Sequence, residues 1–183
     1  MDYIIRQIRD SEYHLLKKFL YEAIFVPDGS EAPPKSIINQ PDLQVYVTDF
    51  GEQKDDYCFV AEVEGKVVGA VWARIMNDYG HIDDETPSLA ISLYKEYRGY
   101  GIGTALMKEM LSSLKEIGYK KASLAVQKAN YAFHLYLKVG FTIVNQNEEE
   151  YIMVIHFDHD SEVNRMNKAF LRKHHNKALS HAE

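Results

Sequence analysis

The sequence predicts a single α/β domain with a mixed, mostly antiparallel sheet that helices cover on both faces. Three stretches favour this class. An alternating hairpin spans about residues 57–76, and an apolar strand at 88–93 leads through a glycine-rich turn into a helix at 104–117. A further helix at 130–139 precedes two closing strands. Since hairpins give antiparallel pairs and strand–helix–strand crossovers give parallel pairs, both kinds of pairing are expected in one sheet.

Composition excludes several classes of protein. The chain has 183 residues, 46% of them hydrophobic, which suits one domain with an ordinary core. Its net charge of −6 gives no general electrostatic case for nucleic acid as a partner. No signal peptide is recognised, and no window approaches the roughly 18 uncharged apolar residues of a membrane span. We therefore expect a soluble, cytoplasmic protein without a membrane partner, in which the single cysteine, Cys58, is a core residue.

The first third of the chain begins with a strand at residues 3–8 and a helix that ends near residue 25. Four of the five prolines then fall within residues 26–41, which favours a loop with little room for a long helix. Residues 43–47 alternate in polarity, and both a helix end and a short strand are consistent with them.

The central hairpin has strands at residues 57–63 and 67–76, joined by a turn at 64–66. Trp72 and Arg74 alternate with apolar neighbours, so they share one face of the second strand. Two interpretations of this pair stay open. It frames the carboxylate of an acceptor molecule, or it is a surface arginine beside a packed tryptophan.

The second half alternates helices and strands. The helix at 104–117 carries an apolar stripe at i, i+4 spacing, and Gly118 suits its C-terminal cap. The elements that follow are a strand at 119–126, the helix at 130–139, and strands at 141–144 and 151–157. Residues 158–183 form an extension beyond a domain of residues 1–157. An amphipathic helix that packs on the domain or mediates a homodimer is consistent with it, and so is a frayed helix.

A glycine-rich segment has the chemistry of a phosphate-binding loop: Arg98, Gly99, Tyr100, Gly101, Ile102, Gly103 and Thr104. Glycines let backbone N–H groups approach a ligand, the helix N-terminus adds partial positive charge, and arginine binds phosphate. The spacing fails the dinucleotide fingerprint, whose third glycine position is Thr104 here, and no lysine follows Gly103 as in a P-loop. An ordinary tight turn is the remaining alternative.

A second motif follows in the chain. Residues 130–141 read Asn-Tyr-Ala-Phe-His-Leu-Tyr-Leu-Lys-Val-Gly-Phe. Together with Arg-x-x-Gly-x-Gly at 98–103, this resembles the GNAT superfamily of N-acetyltransferases. The resemblance covers residues 88–141, and the flanking pattern agrees over about 1–157. It implies the GNAT acyltransferase fold, with a sheet of about six or seven strands.

The resemblance also implies how acetyl-CoA binds. Main-chain groups of Ile91 and Leu93 would bond the pantetheine arm like an added strand, and residues 98–104 would hold the pyrophosphate. The Asn130 side chain would bond the pantetheine arm, with a simple helix cap as its competing role. Tyr136 matches the family tyrosine that faces the thioester sulfur, where its hydroxyl can donate to the departing thiolate. A core tyrosine is the alternative.

Acetyl transfer to an amine also needs a group that takes the acceptor's proton. Some family members use a glutamate at or just before the incoming strand, and in the acidic loop at 77–86 the matching residue is Glu85, the predicted base. The alternatives for this base are Asp83, Asp84 and His81. The loop is also consistent with a solvated segment that has no catalytic role. Desolvation beside an apolar channel would raise a carboxylate pKa from ~4.3 toward neutrality, as such a base requires.

The sequence therefore predicts an acetyl-CoA-dependent N-acetyltransferase that transfers directly to a primary amine of a small molecule or peptide. Acidic residues near the expected acceptor mouth favour a cationic amine. No metal is expected, because the histidines lack a third ligand at metal spacing. The rival interpretations are a non-catalytic acyl-CoA-binding or regulatory module and a nucleotide-binding protein, which the glycine spacing disfavours.

Overall fold

Seven strands form one sheet in a computed structural model that describes residues 1–157: β1 Ile4–Gln7, β2 Tyr57–Val63, β3 Lys66–Arg74, β4 Ser88–Leu93, β5 Lys121–Gln127, β6 Thr142–Gln146 and β7 Glu150–His156. Their order across the sheet is β1-β2-β3-β4-β5-β7-β6. Each neighbouring pair is antiparallel except β4 and β5, which are parallel. The predicted mixed, mostly antiparallel sheet is confirmed, and the extension at 158–183 lies outside the described residues.

Helices flank both faces of this sheet. The α-helices of residues 1–157 are α1 Leu16–Ala23, α2 Pro41–Gln44, α3 Ile102–Ile117 and α4 Ala132–Val139, with 3₁₀ helices at Asp10–Leu15, Lys35–Asn39 and Lys95–Tyr97. The proline-rich segment 26–41 holds only short helical turns, as its composition indicates. Residues 43–47 begin at the end of α2 and continue as turns, so the strand interpretation of this segment is wrong.

Alternation along β4 divides its side chains between two cores. Leu89 and Leu93 belong to the larger cluster, which they form with buried side chains of α3. Ala90 packs on the opposite face, against a second cluster that contains α1 side chains, Trp72 and the buried Cys58. Because successive side chains of a strand point to opposite faces, a molecule that entered beside β4 would meet a different helix layer on each side.

The pairing of β4 with β5 is limited to one position. Ser88 is registered with Ser123, and the Ser123 N–H donates to the Pro87 carbonyl at 3.0 Å. By contrast, β4 pairs with β3 from Ser88 to Leu93, and β5 pairs with β7 along its full length. The two strands therefore separate beyond Ser88, and the sheet has a gap between them.

Arg74 is buried, with 2% of its surface exposed, so the prediction of a surface arginine is wrong. Its guanidinium binds both carboxylate oxygens of Asp56, at 2.9 and 3.0 Å. A remaining nitrogen donates to the carbonyls of Val45 and Thr48, at 3.0 and 2.8 Å. Four of its five N–H groups donate within the protein and the side chain is buried, so Arg74 is not available to an acceptor carboxylate. Instead it fastens the segment after α2 to β3.

Removing one partner of this pair should destabilise the protein strongly. Arg74→Ala would leave the Asp56 carboxylate buried without its counter-ion, and we expect the free energy of unfolding to fall by about 3–5 kcal/mol. Urea denaturation measures this loss. The control is Arg9→Ala, because the Arg9 side chain is 66% exposed and lies 3.5 Å from Glu12. Such a surface pair should contribute less than about 1 kcal/mol. Equal losses in the two variants would contradict the structural role given to Arg74.

Candidate active site

The gap between β4 and β5 exposes backbone groups that would otherwise form a sheet ladder. The Tyr94 N–H donates to the Val68 carbonyl of β3 at 3.1 Å, whereas the Pro87 carbonyl faces β5. Because these directions alternate along a strand, the main-chain groups of Ile91 and Leu93 point toward β5. Beyond the single bridge at Ser88, β5 does not reach them. An extended ligand can pair with this edge as an added strand does.

The loop between β4 and α3 offers a row of backbone donors. Within the described chain, the six N–H groups of residues 99–104 have no intramolecular hydrogen bond, and the first bonded one is Ala105, which donates to the Gly101 carbonyl at 3.0 Å. The first three of these residues precede α3, and the others form its first turn. Partial positive charge at the helix N-terminus adds to these donors, so the loop is suited to an anion such as pyrophosphate.

Two of the loop glycines allow backbone conformations with positive φ, and the third allows α3 to pack closely on β4. Gly99 and Gly101 have φ angles of 84° and 82°, a region that side chains disfavour. A Cβ built on either would meet no described atom within 4 Å, so both positions border open space. A Cβ on Gly103 would lie 3.3 Å from the Leu93 side chain. Gly103 therefore allows the start of α3 to pack closely on β4.

Arg98 ties this loop to the end of β4. Its Nε and Nη2 atoms donate to the Leu93 carbonyl at 3.0 and 2.9 Å. Two guanidinium nitrogens are thus engaged within the protein, and the Nη1 group has no partner in residues 1–157. The role of Arg98 as a phosphate ligand stays a prediction. Its observed bonds hold the loop against the strand that borders the gap.

Asn130 caps α4. Its Oδ1 atom accepts a hydrogen bond from the Ala132 N–H at 2.9 Å, in the first turn of the helix. The structure therefore shows the capping role that was proposed as an alternative. Because only the side-chain oxygen is used, the amide N–H₂ group remains able to donate, and the pantetheine contact stays a prediction.

Tyr136 lies on α4 with 8% of its surface exposed, and its ring packs edge-on against Phe141. Among the residues that the structure describes, its hydroxyl has no hydrogen-bond partner. Burial raises the pKa of Tyr136 to about 12. The phenol therefore keeps its proton at neutral pH, and its O–H group is able to donate to a ligand.

The acidic loop between β3 and β4 holds its predicted carboxylates in different surroundings. Asp83 accepts hydrogen bonds from Lys121 Nζ and the Thr86 hydroxyl, both at 2.6 Å. The bond from Lys121 is the main cause that lowers the pKa of Asp83 to about 2, which makes it a poor base. The Asp84 side chain is 98% exposed, and Glu85 is exposed as well. The role of Glu85 as a base stays a prediction.

Sequence reasoning missed a fourth carboxylate in this loop. Asp78 Oδ2 accepts hydrogen bonds from the Tyr46 hydroxyl at 2.8 Å and the Ser88 hydroxyl at 2.7 Å. Its other oxygen, Oδ1, is buried and has no partner in residues 1–157. The acidity of the loop pointed to this region, but nothing in the sequence brings Tyr46 to it.

Further acidic groups surround Tyr46. Its pKa is raised above the ordinary tyrosine value, first by burial, then by the Asp78 charge and also by Glu150. Glu150 and Asp42 likewise raise the pKa of Tyr79, after burial, and the Tyr79 hydroxyl lies 3.4 Å from Asp42. Glu150 at the start of β7 thus acts on both tyrosines, Asp78 in the loop after β3 acts on Tyr46, and Asp42 of α2 acts on Tyr79.

The sequence matches the Acetyltransferase (GNAT) family over residues 20–141, which is more than half of the chain. The chain belongs to the GNAT acetyltransferase family. The resemblance seen in the two motifs is therefore confirmed. Both the loop with unbonded N–H groups and the two strands that border the gap, β4 and β5, fall within the matched residues.

Relatives in the family carry several names. The chain is 33% identical over 111 residues to an N-alpha-acetyltransferase of Sulfurisphaera tokodaii, in a match that covers 52% of this chain and 66% of that protein. It is 37% identical over 91 residues to a probable N-acetyltransferase camello of Xenopus tropicalis, covering 48% of this chain and 39% of that protein. The matches thus span less than two thirds of either relative's length.

Solved structures share the fold at lower identity. A PaiA N-acetyltransferase of Thermoplasma acidophilum, in complex with coenzyme A, aligns with a TM-score of 0.64 and 19% identity, over 85% of this chain and 99% of that chain. A putative streptothricin acetyltransferase of Bacillus anthracis, in complex with acetyl-CoA, gives a TM-score of 0.62 and 18% identity, over 86% and 100% of the two chains. These likenesses confirm the predicted GNAT fold.

Two features are absent from residues 1–157. These residues contain no group of three or more His, Cys, Asp or Glu side chains arranged to hold a metal ion. None of their helices combines the length and the apolarity that a bilayer crossing requires.

Proposed function

We propose that the protein transfers the acetyl group of acetyl-CoA directly to a primary amine of a small molecule or peptide. The observation that carries this proposal is the gap between β4 and β5, together with the unbonded N–H groups of the loop that follows β4. Tyr136 belongs to the same core cluster as Leu89 and Leu93 of β4. Membership of the GNAT family agrees with the proposal. The reaction would take place in the cytoplasm, where acetyl-CoA is available.

The residues present fit acetyl-CoA as a substrate. The N–H groups of residues 99–104 would bind the pyrophosphate, because they are unbonded and adjoin open space at Gly99 and Gly101. The main-chain groups of Ile91 and the N–H group of Leu93 would pair with the amides of the pantetheine arm, whereas the Leu93 carbonyl already accepts hydrogen bonds from Arg98. These contacts would direct the thioester into the gap.

Tyr136 would then assist the leaving group. A thiolate leaves an acyl group more readily when a nearby acid donates a hydrogen bond or a proton to it. The Tyr136 hydroxyl suits this role because its pKa of about 12 keeps it protonated. In addition, no described residue accepts a hydrogen bond from it. The same hydroxyl speaks against a non-catalytic acyl-CoA-binding module, which has no use for it.

The acceptor would be an amine with positive charge. Asp42, Asp78 and Glu150 each raise the pKa of Tyr46 or Tyr79, after burial. A cation attracted by such a group gains about 1 kcal/mol at 4 Å in water and about 4 kcal/mol in a partly shielded site. This gain favours an alkylammonium group over a neutral acceptor.

A release assay for free coenzyme A thiol tests the function as a whole. The protein would be incubated with acetyl-CoA and, separately, with spermidine, lysine amide and a tetrapeptide with a free N-terminus. We expect thiol release that depends on the amine, and a product heavier by one acetyl group in mass spectrometry. Absence of amine-dependent release across this panel and a wider set of amines would refute the proposed function.

Gly101→Val should abolish the binding of acetyl-CoA. A β-branched residue cannot readily adopt a φ of 82°, and its side chain would occupy the open space that the pyrophosphate needs. In the parent protein, acetyl-CoA should raise the Tm because it binds the folded state, whereas NAD and ATP should do so much less. In the variant this rise should vanish.

The control for this experiment is Gly118→Val. Gly118 ends α3 with a φ of 110°, and a Cβ there would also meet no atom within 4 Å. The backbone strain is therefore similar, but the position lies at the other end of the helix. We expect a lower Tm together with an intact acetyl-CoA-induced rise. If both variants lost the rise, the effect of Gly101→Val would reflect general destabilisation.

Tyr136→Phe should separate catalysis from binding. The variant keeps the packed ring and loses only the proton donor, so kcat should fall by ~10²-fold while the Tm rise with acetyl-CoA stays. The matched control is Tyr131→Phe, because Tyr131 directly precedes the same helix and is 83% exposed. It should leave turnover unchanged. Equal turnover of parent and Tyr136→Phe would assign Tyr136 to packing alone.

Glu150→Gln should weaken the binding of a cationic acceptor. Removing one negative charge near Tyr46 should raise KM for spermidine by roughly fivefold at low salt, and by less at high salt because ions screen the attraction. Steady-state kinetics at two ionic strengths measure both effects. Glu148→Gln makes the same charge change in the turn just before β7, but Glu148 is not among the groups that affect Tyr46 or Tyr79. An equal rise of KM in both variants would indicate only a general charge effect.

A further inference from the structure

The carboxylate of Asp78 has so far served only as one of the negative charges near the proposed acceptor site. We propose that Asp78 accepts the proton of the acceptor amine and that the Tyr46 hydroxyl relays this proton to it. The inference rests on the proposed acetyl transfer. It assigns to Asp78 the role of base that the sequence predicted for Glu85.

The loop that carries Asp78 lies where β4 and β5 separate. A Cβ built on Gly80 would come within 2.7 Å of Ser88 Oγ and 2.9 Å of the Ala125 backbone nitrogen. The loop therefore touches both strands at the start of the gap. Asp78 precedes Gly80 by two positions and is bonded to Ser88, the residue that forms the last bridge before the strands part.

Unsatisfied polar atoms are concentrated at this point. In residues 1–157, the buried side-chain oxygens and nitrogens without a hydrogen-bond partner are Asp78 Oδ1 and Ser123 Oγ. Ser123 has 0% exposure and is registered directly beside Ser88. Buried polar groups without partners cost stability and are rare in folded proteins. The presence of two such atoms beside the gap favours a functional site at this position.

Tyr46 approaches the gap from the face opposite to Tyr136. The Tyr46 carbonyl accepts a hydrogen bond from Trp72 Nε1 at 3.1 Å, and Trp72 is paired with Ala90 of β4. Trp72 and Ala90 belong to the cluster that includes α1, whereas Tyr136 belongs to the cluster that includes α3. An amine that entered beside Tyr46 would thus reach the gap without displacing the donor for the leaving thiolate.

The proton transfer balances as a relay. An N–H group of the acceptor ammonium gives its proton to Tyr46 Oη, while the Tyr46 hydroxyl proton passes to Asp78 Oδ2, 2.8 Å away. The amine becomes neutral and able to attack, Tyr46 is neutral before and after, and Asp78 is left as a carboxylic acid that later returns the proton to water. Burial and the Asp78 charge raise the pKa of Tyr46, so the phenol passes the proton on and does not persist as an anion.

Other groups around the relay are acidic or phenolic. Glu150 and Tyr79 act on Tyr46, and Asp42 lies beside Tyr79. His81 in the same loop is turned to the Met76 carbonyl, 2.9 Å from its Nδ1 atom. Negative charge around Tyr46 would stabilise the incoming ammonium before its proton is removed.

The remaining carboxylates of the loop are less suited to this step. Asp83 is held by Lys121, and both Asp84 and Glu85 are exposed to solvent. Glu85 lies in a turn three positions before the first residue of β4. Asp78, in contrast, is bonded to that first residue. Within this loop, Asp78 is the carboxylate enclosed at the gap.

Asp78→Asn and Tyr46→Phe test the relay with nearly unchanged shapes. With spermidine and the tetrapeptide as probes, each variant should lower kcat/KM at pH 7 by ~10²-fold, while the Tm rise with acetyl-CoA stays intact. The loss should shrink as the pH rises toward the pKa of the acceptor amine, because a larger share of the amine is then already neutral and needs no base. The double variant should be no slower than the slower single one, because both residues serve one path.

Two further variants distinguish a proton relay from a purely structural role of the Tyr46 hydroxyl. Ser88→Ala removes a hydrogen bond from the same Asp78 oxygen as Tyr46→Phe does, so both should lower the Tm similarly. Only Tyr46→Phe interrupts the proton path, and Ser88→Ala should lose no more than a few-fold in rate. Glu85→Gln should retain most of the parent rate at every pH.

Parent-like turnover in Asp78→Asn and Tyr46→Phe would overturn the relay, and so would a loss in Ser88→Ala equal to that in Tyr46→Phe. A larger loss in Glu85→Gln than in Asp78→Asn would move the base to Glu85 and leave the proposed function in place. Failure of the function itself would appear differently, as a parent protein that acetylates none of the amines.

Discussion

The sheet depends on a single bridge between its two halves. β4 is paired with β3, and β5 is paired with β7, each over its full length. Between β4 and β5 only Ser88 and Ser123 are paired. A backbone edge that stays unpaired needs another source of hydrogen bonds, either water or a ligand. The fold thus places an exposed strand edge, which most proteins cover, in the middle of its sheet and flanks it with two helix layers.

The buried ion pair of Arg74 and Asp56 belongs to the same arrangement. It attaches the turns after α2 to β3 through the carbonyls of Val45 and Thr48. Tyr46 lies between these two anchor points, and Trp72 holds its carbonyl. The irregular backbone that carries the Tyr46 phenol is thus held at three carbonyls, those of Val45, Tyr46 and Thr48. Hydrogen bonds from buried side chains here take the place of a regular backbone ladder.

Local patterns predicted much of this structure. The turn at Glu64 and Gly65 has positive φ at both residues, as a two-residue hairpin requires, and Gly118 caps α3 in the left-handed region. The glycine loop and the motif around Tyr136 were found for the same reason, since each is contiguous in the chain. These features depend on residues within one or two turns of each other.

Long-range contacts could not be predicted in this way. The burial of Arg74 depends on partners 18 to 29 residues away, and the bond between Tyr46 and Asp78 joins positions 32 apart. In sequence, Asp78 is one of several acids in a loop, and Tyr46 lies in a segment of ambiguous pattern. Only the folded chain distinguishes the enclosed carboxylate from its exposed neighbours.

Gly80 restricts which residues related chains of this fold can carry at the same position. A side chain there would come within 2.9 Å of backbone atoms of Leu124 and Ala125, which cannot move aside as a flexible side chain does. The requirement comes from space, since the φ of Gly80 is not positive. Any residue larger than glycine would force the loop away from β5 or the strands apart. Loop and sheet are therefore constrained to change together at this position, and a substitution at 80 in a related chain would signal a differently shaped start of the gap between β4 and β5.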